Sequence, residues 1–211
     1  MVDLKDKVAI VTGASAGIGR ASAKLFARAG TKVVVASRRK AELDSLVREI
    51  AGEGGDALAS DVSDEAFAKE LVERAEQSYG RLDVGFNNAG ILGEQGPTTG
   101  ISLEGWNGTL KVNLTSAFLA AKHQIPAMLK QGKGSIIFTS TFVGYTVGFP
   151  GFVAYAASKS GLIGLRRPSP PNTGRRTFGS TLSSPARSRR RCTKPPMTPP
   201  RSGPISRTYM R

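Results

Sequence analysis

The 211-residue sequence predicts an α/β fold, a doubly wound parallel sheet that breaks off after its fifth strand and the start of the following helix. Two observations carry this reading. Short apolar runs alternate with longer segments of helical period, the pattern of βαβ units. Turns rich in Gly and Asn follow directly on the apolar runs, at what would be the carboxyl edge of the sheet, where such folds take ligands.

Each element has its own signal. Lys7–Thr12 (KVAIVT) reads as a buried strand, and Gly17–Ala29 as a helix stopped by Gly30. Lys32–Ser37 (KVVVAS) is a second strand, followed by a helix over Ala41–Ile50 with GEGG behind it. A weaker third strand lies near Ala57–Ser60, and Asp64 can cap a helix running to about Ser78. Leu82–Asn87 is the fourth strand, and a Gly- and Pro-rich loop reaches Gly100. Ser102 lacks an acid three residues on, so no capping box supports a helix start there. A long helix fits Trp106–Lys130, with Leu110, Leu114, Ala117, Phe118 and Ala121 on its apolar face. Gly134–Ser140 is a fifth strand, and Tyr155–Leu165 begins another helix.

Composition divides the chain. Residues 1–165 hold 18 Lys and Arg against 16 Asp and Glu, whereas residues 166–211 hold 12 and none. The last 46 residues also carry nine of the twelve prolines and only three of the residues Leu, Ile, Val and Phe. The expected organisation is therefore a domain over 1–165 and a basic, Pro-rich, disordered tail over 166–211. The net charge of +14 sits almost wholly in that tail, so it is not a nucleic-acid signature of the domain. Cys192 is the only cysteine, which excludes an intrachain disulfide. His123, the only histidine, is joined by no Cys or acidic cluster, and no metal site is expected. Without a leader-like start or an apolar run of about 18 residues, neither export nor membrane insertion is expected, and the cytoplasm is the anticipated location.

Four constellations carry chemistry. Thr12-Gly13-Ala14-Ser15-Ala16-Gly17-Ile18-Gly19 lies between the first strand and the first helix. Its glycines allow a tight turn and close backbone approach, and the helix N-terminus offers free N–H donors to a pyrophosphate. The spacing is GxxxGxG, not the GxGxxG of the dinucleotide fingerprint, and a plain strand-to-helix turn is the competing reading. After the second strand comes Ala36-Ser37-Arg38-Arg39, where an NAD site would carry an acid for the ribose hydroxyls. Arg38 can instead pair with a 2′-phosphate, which favours NADP over NAD, although two arginines could also open a solvated helix face. Asp61 and Val62 follow the third strand, and Asn87-Asn88-Ala89-Gly90 the fourth. Asp61 could accept from an adenine amine, while Asn88, Ala89 and Gly90 let backbone approach the adenosine ribose. Taken singly, each is an ordinary turn.

The fourth constellation is Ser140, Tyr155 and Lys159, with Asn113 upstream. Tyr and Lys four apart share a helix face, where an ammonium favours the phenolate beside it. Ser140 ends a strand with a hydroxyl able to hold a carbonyl oxygen. Asn113 lies on the long helix, where a buried amide needs a partner such as water or the lysine's loop.

TGASAGIG, NNAG, the Asn in VNLTSAF, a Ser ending the fifth strand and YAASK occur in an order and spacing that resembles the classical short-chain dehydrogenases/reductases over residues of about 4–165. The resemblance implies a Rossmann-like sheet ordered 3-2-1-4-5-6-7 and an NAD(P)-dependent interconversion of alcohols with ketones or aldehydes. It implies Tyr155 as general acid/base, with Lys159 holding the nicotinamide ribose and helping Tyr155 give up its proton. Ser140 would polarise the substrate carbonyl, and Asn113 would support a proton relay. Cofactor contacts would come from Gly13, Ser15, Gly17, Ile18, Gly19, Arg38, Asp61, Val62, Asn88, Ala89 and Gly90, together with Tyr155 and Lys159. Homodimers or homotetramers built on the long helices are implied as well, with small-molecule substrates and neither nucleic acid nor membrane as partner.

After Leu165 the likeness stops. Such proteins continue with an Ala-rich helical turn, a sixth strand, a substrate-covering segment and a seventh strand, whereas this chain reads RRPSPPNTGRRTFGSTLSSP. Each residue nearly fixes the first two bases of its codon, so a frame set one base earlier leaves one free base per codon. Pro168-Ser169 then permits Leu, Pro171-Asn172 permits Glu and Asn172-Thr173 permits Tyr. One choice of codons gives TQALAAEYGAQDVRVNALLP, the missing helix and strand. A nucleotide lost after the Leu165 codon is the expectation, and poor activity of the chain as written follows from it. Two other readings stand: an inactive fragment that at most binds nucleotide, and a nucleic-acid binder working through the basic tail, which shows no amphipathic stripe.

Overall fold

The computed structural model describes residues 4–50, 55–144, 146–166 and 178–183. Six parallel strands form one sheet in the order β3-β2-β1-β4-β5-β6. They are β1 (Val8–Thr12), β2 (Lys32–Ser37), β3 (Gly55–Ala59), β4 (Val84–Asn87), β5 (Gly134–Thr139) and β6 (Phe178–Ser183). The helices are α1 (Gly17–Arg28), α2 (Lys40–Glu49), α3 (Glu65–Tyr79), α4 (Leu103–Leu110), α5 (Ser116–Lys130) and α6 (Val153–Arg166).

The central strand explains the layering. All five residues of β1 are buried, as a strand covered on both faces requires. Val8 and Ile10 join Val34, Phe67, Leu71, Met128 and Leu162, so one face packs on α3, α5 and α6. Val11 joins Val33, Val35, Ala23, Ala27, Leu43 and Leu46, so the other face packs on α1 and α2. Successive strands step outward from β1 to β3, and the chain then returns to place β4 on the other side of β1. The strand order thus reverses between β1 and β4, and a crevice opens there at the carboxyl edge. Asp83 fixes the far end of this junction: its carboxylate accepts from the Val8 N–H at 3.0 Å and from Arg81 at 2.7 and 2.6 Å.

Three local expectations change. The helix after the long loop starts at Leu103, not Trp106, because the Ser102 hydroxyl caps it by accepting from the Gly105 N–H at 2.9 Å. A capping box is not needed for a cap. A π-helical turn over Lys111–Thr115 joins α4 to α5 and shifts the phase of the apolar stripe. Phe118, assigned to the buried face by an unbroken helical period, is therefore 49% exposed, while Asn113, Ser116 and Leu119 turn inward. Beyond α6, Phe178–Ser183 pairs in parallel with β5, from Gly134 opposite Phe178 to Thr139 opposite Ser183. The sequence reads this stretch as coil because it lacks strand periodicity. Ladder bonds are made by the backbone, and the edge of β5 offers a row of donors and acceptors whatever the side chains. The rest of the expected tail, 167–177 and 184–211, lies outside the described residues.

Candidate active site

The turns after β1, β2, β3 and β4 build a cleft of about 590 Å³ at the β1/β4 reversal. Gly13, Ser15 and Gly17 line it from the first turn, Arg38 and Arg39 from the end of β2, Asp61 and Val62 from the end of β3, and Asn88, Ala89 and Gly90 from the end of β4. These are residues that sequence spacing singles out, and the fold brings them to one place. Ile18 and Gly19 stand just inside α1: Ile18 is 48% exposed, and Gly19 is buried beneath the turn.

The turn is tight enough to require its glycines. Gly13 has a φ of +68°, and a Cβ on Gly19 would stand 2.3 Å from the Gly13 carbonyl oxygen. Thr12, the last residue of β1, ties this turn to the next one. Its hydroxyl accepts from the Asn88 N–H at 3.0 Å and the Ala89 N–H at 3.1 Å, and its carbonyl accepts from the Asn88 amide at 3.3 Å. Spacing alone passed over Thr12; a β-branched hydroxyl ending a strand between two Gly-bearing turns was the available signal.

The electrostatics of the cleft favour an anion. The N-terminus of α1 has no side-chain cap and no acid in its first turn, so its N–H groups and dipole face the cleft uncompensated. By contrast, Asp64 caps α3 by accepting from the Ala66 N–H. Arg39 reaches across the cleft to donate to the Ser15 hydroxyl at 2.9 and 3.1 Å. Asp61 is held below the usual carboxylate range, first by the Ser63 N–H and then by its hydroxyl, both 2.9 Å away, with Arg38 adding its charge. This donor set fits a dinucleotide: free amides for the diphosphate, two guanidiniums at the end of β2, and one carboxylate at the end of β3.

Asn113 and Lys159 lie behind Gly90 and line a smaller cavity beside Thr12 and Asn87. Lys159 is buried, and its ammonium donates to the Thr139 carbonyl at 2.9 Å. Burial pushes its pKa down to about 8. A Cβ on Gly90 would lie 3.1 Å from both the Lys159 Nζ and the Asn113 Oδ1, so both stand directly behind this residue of the cleft wall. Ser140 ends β5 with its hydroxyl 3.5 Å from the Lys159 carbonyl. Tyr155 stands one helical turn before Lys159 on α6. Asn113 finds partners other than those expected: it accepts from the Ile91 N–H at 2.8 Å, donates to the Ile91 carbonyl at 2.8 Å, and donates to the Ser158 hydroxyl at 3.0 Å. It thereby pins the loop after β4 to α6. The π-helical turn is what aims it inward, and no sequence period foretells that turn. His123 faces Glu65 on α3 at 3.3 Å.

The same chain matches the family model for short chain dehydrogenases over residues 7–169. It belongs to the short-chain dehydrogenase family. Among curated proteins of this family, 3-oxoacyl-[acyl-carrier-protein] reductase of Thermotoga maritima is 42% identical over 166 residues, covering 78% of this chain and 67% of that one. Cyclohexanol dehydrogenase of an Acinetobacter is 38% identical over 164 residues, covering 77% and 65%. A crystal structure described as a short-chain alcohol dehydrogenase of Sinorhizobium meliloti superposes with a TM-score of 0.73 at 35% identity, covering 78% of this chain and 66% of that one. The chain thus spans about two thirds of the length of the family members it matches. No helix among the described residues is long and apolar enough to cross a membrane.

Proposed function

We propose that this short-chain dehydrogenase is an NAD(P)-dependent oxidoreductase that interconverts an alcohol with its ketone or aldehyde. The observation that carries it is a cleft that opens on the uncapped, acid-free N-terminus of α1 and is walled by Gly90, directly behind which lies the buried Lys159, with Ser140 beside it. When bound, the dinucleotide supplies the hydride for reduction and accepts it in oxidation. The amides opening α1 hold its diphosphate, and the Asn88-Ala89-Gly90 turn lets its adenosine ribose approach the backbone. Lys159 holds the nicotinamide ribose while keeping its bond to Thr139. Ser140 donates a hydrogen bond to the substrate oxygen. Tyr155 gives that oxygen its proton in reduction and takes it back in oxidation.

NADP is the favoured cofactor. The end of β2 presents two exposed guanidiniums, Arg38 and Arg39, and no carboxylate where a ribose 2′-hydroxyl would seek one. Ala16 supplies no further basic residue in the glycine turn.

The decisive experiment follows NADPH consumption by the purified chain against a panel of aldehydes and ketones. Turnover should fall by about a hundredfold or more in Tyr155→Phe, well beyond any loss of NADPH affinity. Turnover that survives this substitution would remove Tyr155 from the reaction. A second reading, a nucleotide binder with little turnover, is supported by the loss of family likeness after α6; it expects tight NADPH binding with no Tyr155-dependent rate.

A further inference from the structure

The loop between β5 and α6 carries an aromatic series that ends on Tyr155. Phe142 meets Phe149 edge to face at 6.0 Å between centroids, Phe149 meets Phe152 at 6.5 Å, and Phe152 meets Tyr155 at 6.5 Å. The backbone beneath these rings is tied in place. The Thr146 N–H donates to the Phe142 carbonyl at 3.0 Å, the Gly144 N–H to the Val147 carbonyl at 2.8 Å, and the Phe152 N–H to the Phe149 carbonyl at 3.3 Å. Ser160 on α6 donates to the Gly144 carbonyl at 3.0 Å. The rings thus stand on a fixed support, and yet Val147 and Phe149 are 49% and 46% exposed.

The neighbouring loop matches them. Leu92, after β4, is 50% exposed, and the Gly96 N–H donates to the Gly151 carbonyl at 3.1 Å, which joins the two loops. Their charge content is one-sided. Residues 140–158 contain no charged side chain, and residues 88–110 contain Glu94 and Glu104 but no Lys, Arg or His. Glu94 is stabilised as the anion by the Ser102 hydroxyl and N–H, which both donate to it. An anionic group entering between these loops would leave water and meet no cation on either. An apolar ring would gain edge and face contacts with the series.

We propose that the Tyr155 site selects uncharged alcohols and carbonyl compounds whose reacting group sits on an apolar ring, with Phe149 and Phe152 as specificity-determining residues. This rests on the oxidoreductase reading above, and binding is measured so that the two can fail separately. The full chain, saturated with NADP, is titrated calorimetrically with benzyl alcohol and with 4-(hydroxymethyl)benzoate, the same ring carrying one carboxylate. Benzyl alcohol should bind about tenfold more tightly or better. Phe149→Ala, at an exposed position that folding tolerates, should weaken benzyl alcohol about fivefold and leave NADP affinity unchanged. Equal or tighter binding of the carboxylate overturns the proposal. So does a Phe149→Ala variant that binds benzyl alcohol undiminished but loses oligomeric mass, since the face would then belong to a second copy. Selective binding without Tyr155-dependent turnover overturns the reaction and leaves the ring site standing.

Discussion

Lys159 is an ammonium 5% exposed with no carboxylate in ion-pair range among the described residues. It donates one hydrogen bond, to the Thr139 carbonyl, and burial lowers its pKa from 10.5 to about 8. Between those values the unfolded chain holds the proton that the folded chain has released, so stability rises as pH climbs from about 8 towards 10.5. That contribution is absent below about 8, where both states are protonated, and amounts to about 3 kcal/mol when complete. Denaturant midpoints of the parent and Lys159→Met between pH of about 8 and about 10 check this, since other groups cancel in the difference. The parent should gain stability relative to the variant across that window; parallel curves would mean that the ammonium is solvated. Gly85 makes a second, independent case. Asn87 and Gln124 exchange two hydrogen bonds at 3.0 and 3.1 Å in the core, and a Cβ on Gly85 would stand 2.1 Å from the Gln124 Oε1. Gly85→Ala should cost about 1–3 kcal/mol, and Gln124→Ala should restore part of the loss by vacating the space. Additive losses in the double variant would show that the two side chains do not compete for it.

At the scale of elements, some helix starts are closed by a side chain and others are left open. α3 and α4 begin with Asp64 and Ser102, whose side chains accept from the Ala66 and Gly105 amides. α1 begins at Ala16 with no such bond, although it is the helix that points into the cleft. Ala16→Asp is therefore expected to stabilise the protein without cofactor by about 0.5–1 kcal/mol, through a cap and a charge at the positive end. The same carboxylate should weaken NADPH by about tenfold or more, because it occupies the place of the diphosphate. Thermal melts without ligand and fluorescence titration with NADPH read the two effects; a variant that gains stability and loses no affinity would deny the diphosphate this helix end. The starts of α1 and α3 were legible in the sequence because they depend on a few neighbouring residues, whereas the Ser102 cap of α4 was not. KVAIVT followed by glycines at 13, 17 and 19 gives strand, turn and helix without knowledge of anything distant. The π-helical turn was not legible: Asn113 is drawn inward by Ile91 and Ser158, which lie 22 and 45 residues away. Phe118 was misplaced for the same reason, since one extra residue in a turn rotates everything after it.

For the whole molecule, the question is what closes the sheet beyond β5. A parallel sheet is buried on both faces and needs a covered edge. Here β6 pairs along the full length of β5 with the sequence FGSTLS, which does not alternate apolar and polar residues. Read one base earlier, the same six positions become VRVNAL, with β-branched residues alternating as a strand's would. The domain's net charge is near zero, yet the 46 residues that follow Leu165 carry 12 bases and no acid. Both facts follow if a nucleotide is missing after the Leu165 codon, and we propose that it is. Restoring one base at that point in the gene should yield a chain whose likeness to the family runs on past α6. Its melting temperature should rise by about 2–4 °C or more, as a gain of even 1 kcal/mol would give, and the Tyr155-dependent rate should rise at least about tenfold over the chain as written. Sequencing the source DNA around codon 165 checks the premise directly. An intact frame there, together with a base-restored product that is no more stable than its parent, would assign the basic tail to the native protein and leave β6 as its own solution to the open edge.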